Sequence, residues 1–206
     1  MKENRKAHWE NVYATKNPDQ VSWTQHIPQV SLDLIHSFHL PKTAKIIDIG
    51  GGDSKLVDYL LEEGYEDITI LDISATALEK AQSRLGSKSK QVKWIVSDIT
   101  EFEPHEIYDV WHDRAAFHFL TTENQIDTYL NIAQIAISKY MVIGAFSENG
   151  PEKCSGLPIK QYSESQLVDQ LSNYFTSIKC MNEDHVTPFK TIQNFLFCSF
   201  KRKIVI

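Results

Sequence analysis

The feature of this sequence that most clearly suggests a ligand site is a run of three glycines, Gly50, Gly51 and Gly52, that follows Asp48 after one intervening residue. Glycine leaves the backbone bare at an entropic cost to folding, so a ligand can lie directly against the chain. The run lacks the G-x-x-x-x-G-K-[ST] pattern of a phosphate-binding loop, and Lys55 replaces the third glycine of a G-x-G-x-x-G dinucleotide motif. Because Asp48 would repel a pyrophosphate, the stretch favours a ligand with a cationic end.

A second group of chemically active side chains lies in the stretch YDVWHDRAAFHFL. A histidine can take up a proton near neutral pH, and a neighbouring carboxylate can orient its ring. His112 or His118 is therefore predicted to be a general base, with Asp113 as the orienting partner. The alternative is that Asp113 pairs with Arg114 and His118 only packs in the interior. A metal site is not expected, because no further cysteine or histidine stands at ligand spacing.

Short β-branched runs alternate with longer amphipathic stretches around these residues. The predicted parallel strands are KIIDIG, DITILDIS, QVKWIVSDI, YDVWHDR and YMVIGAFS. This alternation predicts a doubly wound, Rossmann-like sheet with helices on both faces. Two later runs, SIKCMNEDHVTP and TIQNFLFCSFKRK, are too close for a crossover helix and should pair antiparallel. The predicted fold class is therefore α/β, a mostly parallel seven-stranded sheet with a C-terminal antiparallel hairpin.

A chain of 206 residues with 42% hydrophobic content suits a single domain. Within it, residues 1–40 are predicted to form an N-terminal cap or lid and the first helix. Residues 41–150 would form the ligand-binding core, and residues 151–206 a C-terminal helix and the antiparallel strands.

The bulk composition limits the partners and the location. The formal net charge is −6 and no basic tract is present, which disfavours nucleic acid. No run approaches the ~18 apolar residues of a membrane span, and the N-terminus has no apolar core like that of a signal peptide. The three cysteines are scattered without a CxxC, so neither a disulfide framework nor a zinc site is expected. A monomer in the reducing cytoplasm is the simplest prediction.

Four stretches resemble, in order, the motifs of the class I S-adenosylmethionine-dependent methyltransferases: IIDIGGGDS, ITILDIS, IVSDITEF and YDVWHDRAAFHFL. Ser54 stands where the first motif usually ends in glycine. The N-terminal HWENVYATKNPDQVSW resembles the cap of small bacterial-type members related to thiopurine and thiol methyltransferases and to some protein-lysine methyltransferases. The resemblance covers roughly residues 40–150 by motif and the rest by layout.

The resemblance implies S-adenosyl-L-methionine as the methyl donor and S-adenosyl-L-homocysteine as the product. The glycine loop and Asp48 would face the cationic amino-acid part of the donor. Asp72 would accept hydrogen bonds from both ribose hydroxyls, about 20 residues after the glycines. Asp98 would meet the adenine amino group, with Ile99 beside the ring, and Ile73 completes the predicted cofactor site.

The N-terminal segment is rich in aromatic residues, among them Trp9, Tyr13 and Trp23. Plain packing is one explanation. The resemblance favours a lid over the cofactor, with Trp23 and Tyr13 nearest the site. Cys154 follows the fifth strand and is predicted to face the opening of the same site. Its thiol could be inert, or it could act on a soft acceptor such as a thiol.

Together these features predict a methyltransferase that acts on a small-molecule nucleophile mainly by positioning and desolvation. One alternative is a protein-lysine methyltransferase with the same fold. Another is a non-catalytic cofactor-binding module. A nicotinamide-dependent oxidoreductase is disfavoured by Lys55 and Asp48. The accepting atom is left open.

Overall fold

The computed structural model describes residues 4–203. The strands are β1 (Lys45–Ile49), β2 (Asp67–Asp72), β3 (Val92–Val96), β4 (Tyr108–Arg114), β5 (Ile137–Phe146), β6 (Lys153–Cys154), β7 (Leu157–Pro158), β8 (Phe175–Val186) and β9 (Ile192–Arg202). The helices are α1 (Asn4–Thr15), α2 (Gln29–His36), α3 (Leu56–Glu62), α4 (Ala75–Leu85), α5 (Glu123–Ala136) and α6 (Glu164–Leu171).

Seven of these strands form one sheet in the order β3-β2-β1-β4-β5-β9-β8. The first five strands of the chain pair in parallel, and β9 lies antiparallel between β5 and β8. The predicted fold class is confirmed: a doubly wound, Rossmann-like, mostly parallel seven-stranded sheet with a C-terminal antiparallel hairpin. The carboxyl ends of the parallel strands share one edge, which is where such sheets bind ligands.

Each face of the sheet carries its own hydrophobic cluster, because successive strand residues point to opposite faces. Ile46 and Val110 belong to the cluster that α2, α3 and α4 cover. Ile47 and Trp111 belong to the cluster that α5 and α6 cover. The same alternation decides which side chains of β1 and β4 can meet at the site.

The cysteines depart from the sequence prediction. A disulfide was not expected, and this was wrong: Cys180 and Cys198 are register partners on β8 and β9 and form a disulfide. They stand 18 residues apart, and the antiparallel register brings them face to face, which their spacing along the chain does not show. Cys154 is free and buried.

Candidate active site

The glycine loop follows β1 and turns the chain away from the sheet. Gly50 and Gly52 have φ angles of 65° and 50°, a backbone region that favours glycine. A Cβ atom on Gly50 would lie 2.6 Å from the Cβ of Ala116, and one on Gly52 would lie 2.6 Å from the hydroxyl of Tyr13. The loop therefore needs glycine both for its backbone shape and for the close approach of its neighbours.

A cavity of about 210 Å³ opens beside this loop, at the carboxyl ends of the parallel strands. Its lining includes these residues of the predicted cofactor site: Asp48, Gly50, Gly51, Asp72, Ile73, Asp98, Ile99 and Trp23. Gly52 is buried beneath the side chain of Tyr13. The structure thus brings the predicted cofactor residues to one place, and their contact with a cofactor stays a prediction.

Asp72 ends β2 and is 6% exposed. Its Oδ1 accepts a hydrogen bond from the backbone N–H of Ser74 at 2.8 Å. Burial raises the pKa of Asp72 to about 7, and the nearby carboxylates of Asp48 and Asp53 add to the rise. A ligand that donates hydroxyl hydrogen bonds to Asp72 would favour its charged form.

Asp98 follows β3 and is held by two partners. Its Oδ1 accepts from the backbone N–H and the hydroxyl of Thr100, at 2.9 and 2.8 Å. Its Oδ2 accepts from Nη2 of Arg5 on α1 at 2.7 Å. The acid predicted to meet an adenine therefore also ties the N-terminal helix to the core.

A second tie between α1 and the core is Glu10, a residue that no sequence motif indicates. Its carboxylate accepts from the Ser74 hydroxyl and the Ala75 N–H, each at 2.8 Å, and from the Thr76 N–H at 3.1 Å. Burial pushes the pKa of Glu10 up, but the hydrogen bonds from Thr76 and Ser74 outweigh it and lower the pKa to about 2. Glu10 thereby caps the N-terminus of α4, where a negative charge is favourable.

Aromatic side chains from this N-terminal region cover the cavity. The ring of Trp9 lies 5.6 Å from Trp23 and 5.2 Å from Phe119, centroid to centroid. Tyr13 is buried over Gly52, where desolvation and then the charges of Asp72 and Asp53 raise the pKa of its hydroxyl. Residues 4–15, predicted only as part of a cap, form a helix that lies across the candidate cofactor site.

His112 and Asp48 are register partners on β4 and β1, and both are buried. His112 Nδ1 lies 2.6 Å from Asp48 Oδ1, and His112 Nε2 lies 2.9 Å from the hydroxyl of Ser31 on α2. The ring is therefore oriented by Asp48. The prediction that Asp113 orients a histidine base is wrong.

Asp113 points to the opposite face of the sheet, under α5. Its Oδ1 accepts from the N–H groups of Ala116 and Phe117 at 2.9 and 3.0 Å, and its Oδ2 accepts from the Tyr129 hydroxyl at 2.8 Å. The alternative pairing of Asp113 with Arg114 is also absent among residues 4–203, because these neighbours point in opposite directions. Asp113 organises the turn after β4 and does not line the cavity.

His118 is fully buried and packs against the rings of Phe119 and Phe146. Its Nδ1 accepts from the Phe146 N–H at 3.2 Å, which puts the proton of the neutral ring on Nε2. Burial and then the charge of Arg114 lower the pKa of His118 to about 3. Of the three side chains predicted for catalysis, His112 is the one that the structure brings to the cavity.

Arg114 and Cys154 also line the cavity. Nη1 of Arg114 donates to the Trp23 carbonyl oxygen at 3.0 Å. Burial raises the pKa of the Cys154 thiol to about 12 despite the opposing charge of Arg114, so the thiol is not ionised near neutral pH. Strand alternation is the signal that could have assigned Arg114 to this site, since His112 and Arg114 share a face of β4.

Comparisons with known proteins identify the domain. Residues 46–136 match a family model described as a methyltransferase domain. The eEF1A lysine and N-terminal methyltransferase of Mus musculus is 25% identical over 119 residues, 57% of this chain and 17% of that protein. The malonyl-[acyl-carrier protein] O-methyltransferase of Anoxybacillus flavithermus is 37% identical over 89 residues, 42% of this chain and 32% of that protein. The chain thus aligns with about a third or less of the length of these relatives.

A solved structure resembles the whole chain. It is the 1,6-didemethyltoxoflavin-N1-methyltransferase of Burkholderia thailandensis, with bound 1,6-didemethyltoxoflavin and S-adenosylhomocysteine. The TM-score is 0.71 at 17% identity, over 97% of this chain and 87% of that chain. These matches agree with the resemblance predicted from the sequence: residues 46–136 match a methyltransferase domain, and the chain has the fold of the class I S-adenosylmethionine-dependent methyltransferases.

Proposed function

We propose that this protein transfers a methyl group from S-adenosylmethionine to a small-molecule nucleophile. One observation carries the proposal: the glycine loop and the acids at the ends of β1, β2 and β3 converge on a single cavity. A glycine-lined cavity with acids at these three positions suits a ligand that has a cationic sulfonium and an ammonium group, two ribose hydroxyls and an adenine.

The residues suit the parts of this cofactor in order along the sheet edge. Asp48 and the backbone of the glycine loop would face the amino-acid end, and Asp72 would accept from the ribose hydroxyls. Asp98 would accept from the adenine amino group at the oxygen that Arg5 now contacts. Ile73, Ile99 and Trp23 would supply apolar surface around the rings, to complete the predicted cofactor site.

In the proposed reaction a lone pair on the acceptor forms a bond to the methyl carbon. The carbon–sulfur bond breaks, its electron pair stays on sulfur, and the sulfonium becomes the neutral thioether of S-adenosylhomocysteine. The chain contributes alignment and exclusion of water. An acceptor that carries a proton must also lose it, and we propose His112 for this role with Asp48 as its partner. Its Nε2 would first have to leave the Ser31 hydroxyl.

A small acceptor is favoured over a protein lysine because aromatic side chains from α1 and the following segment cover the cavity. A protein chain would have to reach past this cover. The Burkholderia thailandensis enzyme of the same fold holds a small molecule together with S-adenosylhomocysteine. Because the chain also matches the mouse lysine methyltransferase, the experiment must distinguish a protein acceptor from a small-molecule acceptor.

Two measurements test the proposal. Calorimetry of the purified protein with S-adenosylhomocysteine should show one-to-one binding, and no uptake would overturn the cofactor assignment. Incubation with methyl-tritiated S-adenosylmethionine and a cell lysate should then place label in the small-molecule fraction. Label in protein would identify a protein methyltransferase, and binding without any label transfer would favour a non-catalytic module.

The remaining predictions concern partners and location. Within the part of the chain that the structure describes, no helix is long and apolar enough to cross a membrane. We propose that the protein does not use nucleic acid, on the grounds of net charge alone, and a monomer is proposed only as the default state. The cytoplasmic location also stays a proposal, and the Cys180–Cys198 disulfide argues against it because disulfides are rare there. Thiol alkylation in intact cells, followed by mass spectrometry, tests the location through the state of these two residues.

A further inference from the structure

Arg114 is a partly buried cation at the part of the cavity farthest along β4. It is the last residue of that strand and lines the cavity. One of its terminal nitrogens, Nη1, donates to the Trp23 carbonyl oxygen, and its guanidinium carbon lies 4.8 Å from the centroid of the Phe195 ring. The guanidinium is therefore fixed in position by a carbonyl on one side and an aromatic face on another.

The other two nitrogens of this guanidinium have no partner. Nε and Nη2 are shielded from solvent and form no hydrogen bond with any group that the structure describes. Among residues 4–203, Arg114 forms no ion pair either. Buried donors are almost always satisfied in native proteins, so two free ones on a single charged group call for a partner that is not part of the described chain.

Nearby acidic side chains do not supply that partner. Asp48 contributes to the electrostatics of Arg114, but its Oδ1 is bonded to His112. Glu183 on β8 is the stronger influence, but its Oε2 is itself buried without a partner, so no hydrogen bond joins that oxygen to Arg114. Burial lowers the pKa of Arg114 to about 10 against the charge of Glu183, so the cation is incompletely compensated where it stands.

The positions of the two free nitrogens, Nε and Nη2, indicate the shape of the missing group. The N–H bonds of Nε and Nη2 point in nearly the same direction along one edge of the guanidinium plane. This edge matches the two oxygens of a carboxylate, which it binds through two parallel hydrogen bonds. A single hydroxyl or carbonyl oxygen would leave one of the two donors unsatisfied.

We propose that Arg114 binds a carboxylate of the methyl acceptor through Nε and Nη2, which makes the substrate class a small carboxylic acid. The inference rests on the proposed function, since it assumes that this cavity holds an acceptor beside the cofactor. Two other cations of the lining, Arg5 and Arg84, are bonded to Asp98 and Asp58, so their charges are already paired. Arg114 has no such ionic partner among residues 4–203 and keeps two donors free.

The competing partner is the carboxylate of the cofactor itself. The carboxylate of the acceptor is distinguished from that of the cofactor by using protein saturated with S-adenosylhomocysteine. In that protein the cofactor carboxylate already occupies its binding position. Probes are matched pairs of small acids and their primary amides, such as phenylacetate with phenylacetamide and butyrate with butyramide. Thermal shift and calorimetry report their binding.

In the wild type we expect the acids, and not the amides, to raise the melting temperature of the saturated protein. Arg114→Met should weaken acid binding about 10- to 100-fold, because hydrogen bonds to a charged group are lost. Arg114→Lys should keep part of it, since a lysine retains the charge but lacks the fork. Glu183→Gln is the matched control: it removes a nearby negative charge and should leave acid binding unchanged or stronger.

Three outcomes overturn the inference. They are equal binding of acids and amides, no binding of any acid to the saturated wild type, and a loss with Glu183→Gln as large as with Arg114→Met. A fourth is that Arg114→Met weakens S-adenosylhomocysteine but not 5′-methylthioadenosine, which lacks the amino-acid part; Arg114 would then hold the cofactor carboxylate. Failure of the wild type to bind S-adenosylhomocysteine at all would instead overturn the proposed function. If Arg114→Met does not fold, Arg114→Lys and the acid–amide comparison on the wild type decide.

Discussion

The two ends of the cavity are built in different ways. The cofactor end consists mainly of a backbone turn and of acids in or just after the last residues of a strand, so short contiguous stretches contain most of it. The acceptor end is assembled from side chains far apart in the chain: Arg114 meets Trp23 across 91 positions, and its ring neighbour Phe195 comes from the C-terminal hairpin. The first end depends on local sequence, and the second depends on how distant elements dock.

Asp72→Ala at the cofactor end should have the largest effect and tests whether local sequence defines this end. If the ribose hydroxyls bind there, two charge-assisted hydrogen bonds are lost and affinity for S-adenosylhomocysteine should fall about 100-fold or more. Stability of the free protein near neutral pH should not fall, because burial makes the charged form of Asp72 unfavourable. Calorimetry with thermal denaturation separates the two effects. Unchanged affinity would refute the predicted place of the ribose.

His112→Ala tests the junction between the two ends. The substitution leaves Asp48 buried beside an empty space without its hydrogen-bond partner, which should lower the free energy of unfolding by about 2–3 kcal/mol. It should also weaken cofactor binding, because Asp48 loses the group that orients it. Denaturant unfolding and calorimetry are the measurements.

Asp113→Asn is the matched control for His112→Ala on the opposite face of the same strand. It should lower stability through its contacts with the turn after β4 and leave the Michaelis constants of a purified assay unchanged. A loss of turnover without a loss of stability would restore Asp113 to the catalytic group.

Features that depend on local sequence could be predicted, and features that depend on contacts between distant elements could not. The order of strands and helices, the glycine turn and the positions of Asp72 and Asp98 at one edge could be predicted, because hydrophobic periodicity and short motifs are local signals. The partner of His112 was missed even though strand alternation contains the information: residues 112 and 113 must face opposite sides. The disulfide between Cys180 and Cys198 depended on an exact antiparallel register, which composition does not define.

The N-terminal helix illustrates why the rest could not be predicted. Residues 4–15 carry no apolar stripe of helical period, so no pattern indicates the helix. Besides its aromatic contacts, this helix is held in position by polar contacts of Glu10 and Arg5 with groups 64 and 93 residues away. Contacts of this kind become visible only when the core is folded.

The pH dependence of S-adenosylhomocysteine binding should be a smaller effect, and it tests whether Asp72 binds the ribose. Its pKa is raised to about 7, and only the ionised carboxylate accepts hydrogen bonds from both hydroxyls of a ribose. Affinity for S-adenosylhomocysteine should therefore fall about tenfold from pH 8 to pH 6. In the free protein the sign is opposite: an acid with a raised pKa costs stability as the pH rises from about 4 to about 7. Asp72→Asn should remove both trends, and a persistent dependence would assign them to another group.

Glu10→Gln should have the smallest effect and tests whether the N-terminal helix behaves as a lid. The amide keeps the size of the side chain but weakens the cap on α4, which should lower the free energy of unfolding by about 1 kcal/mol. If α1 must move for the cofactor to leave, release of S-adenosylhomocysteine should accelerate several-fold, with a smaller change in its association rate. Stopped-flow fluorescence of the tryptophans near the cavity reports both rates. Glu79→Gln, at an exposed position of the same α4 helix, is the matched control and should change neither. Equal release rates for the Glu10 variant and the wild type would show that α1 packs on the core without gating the cofactor.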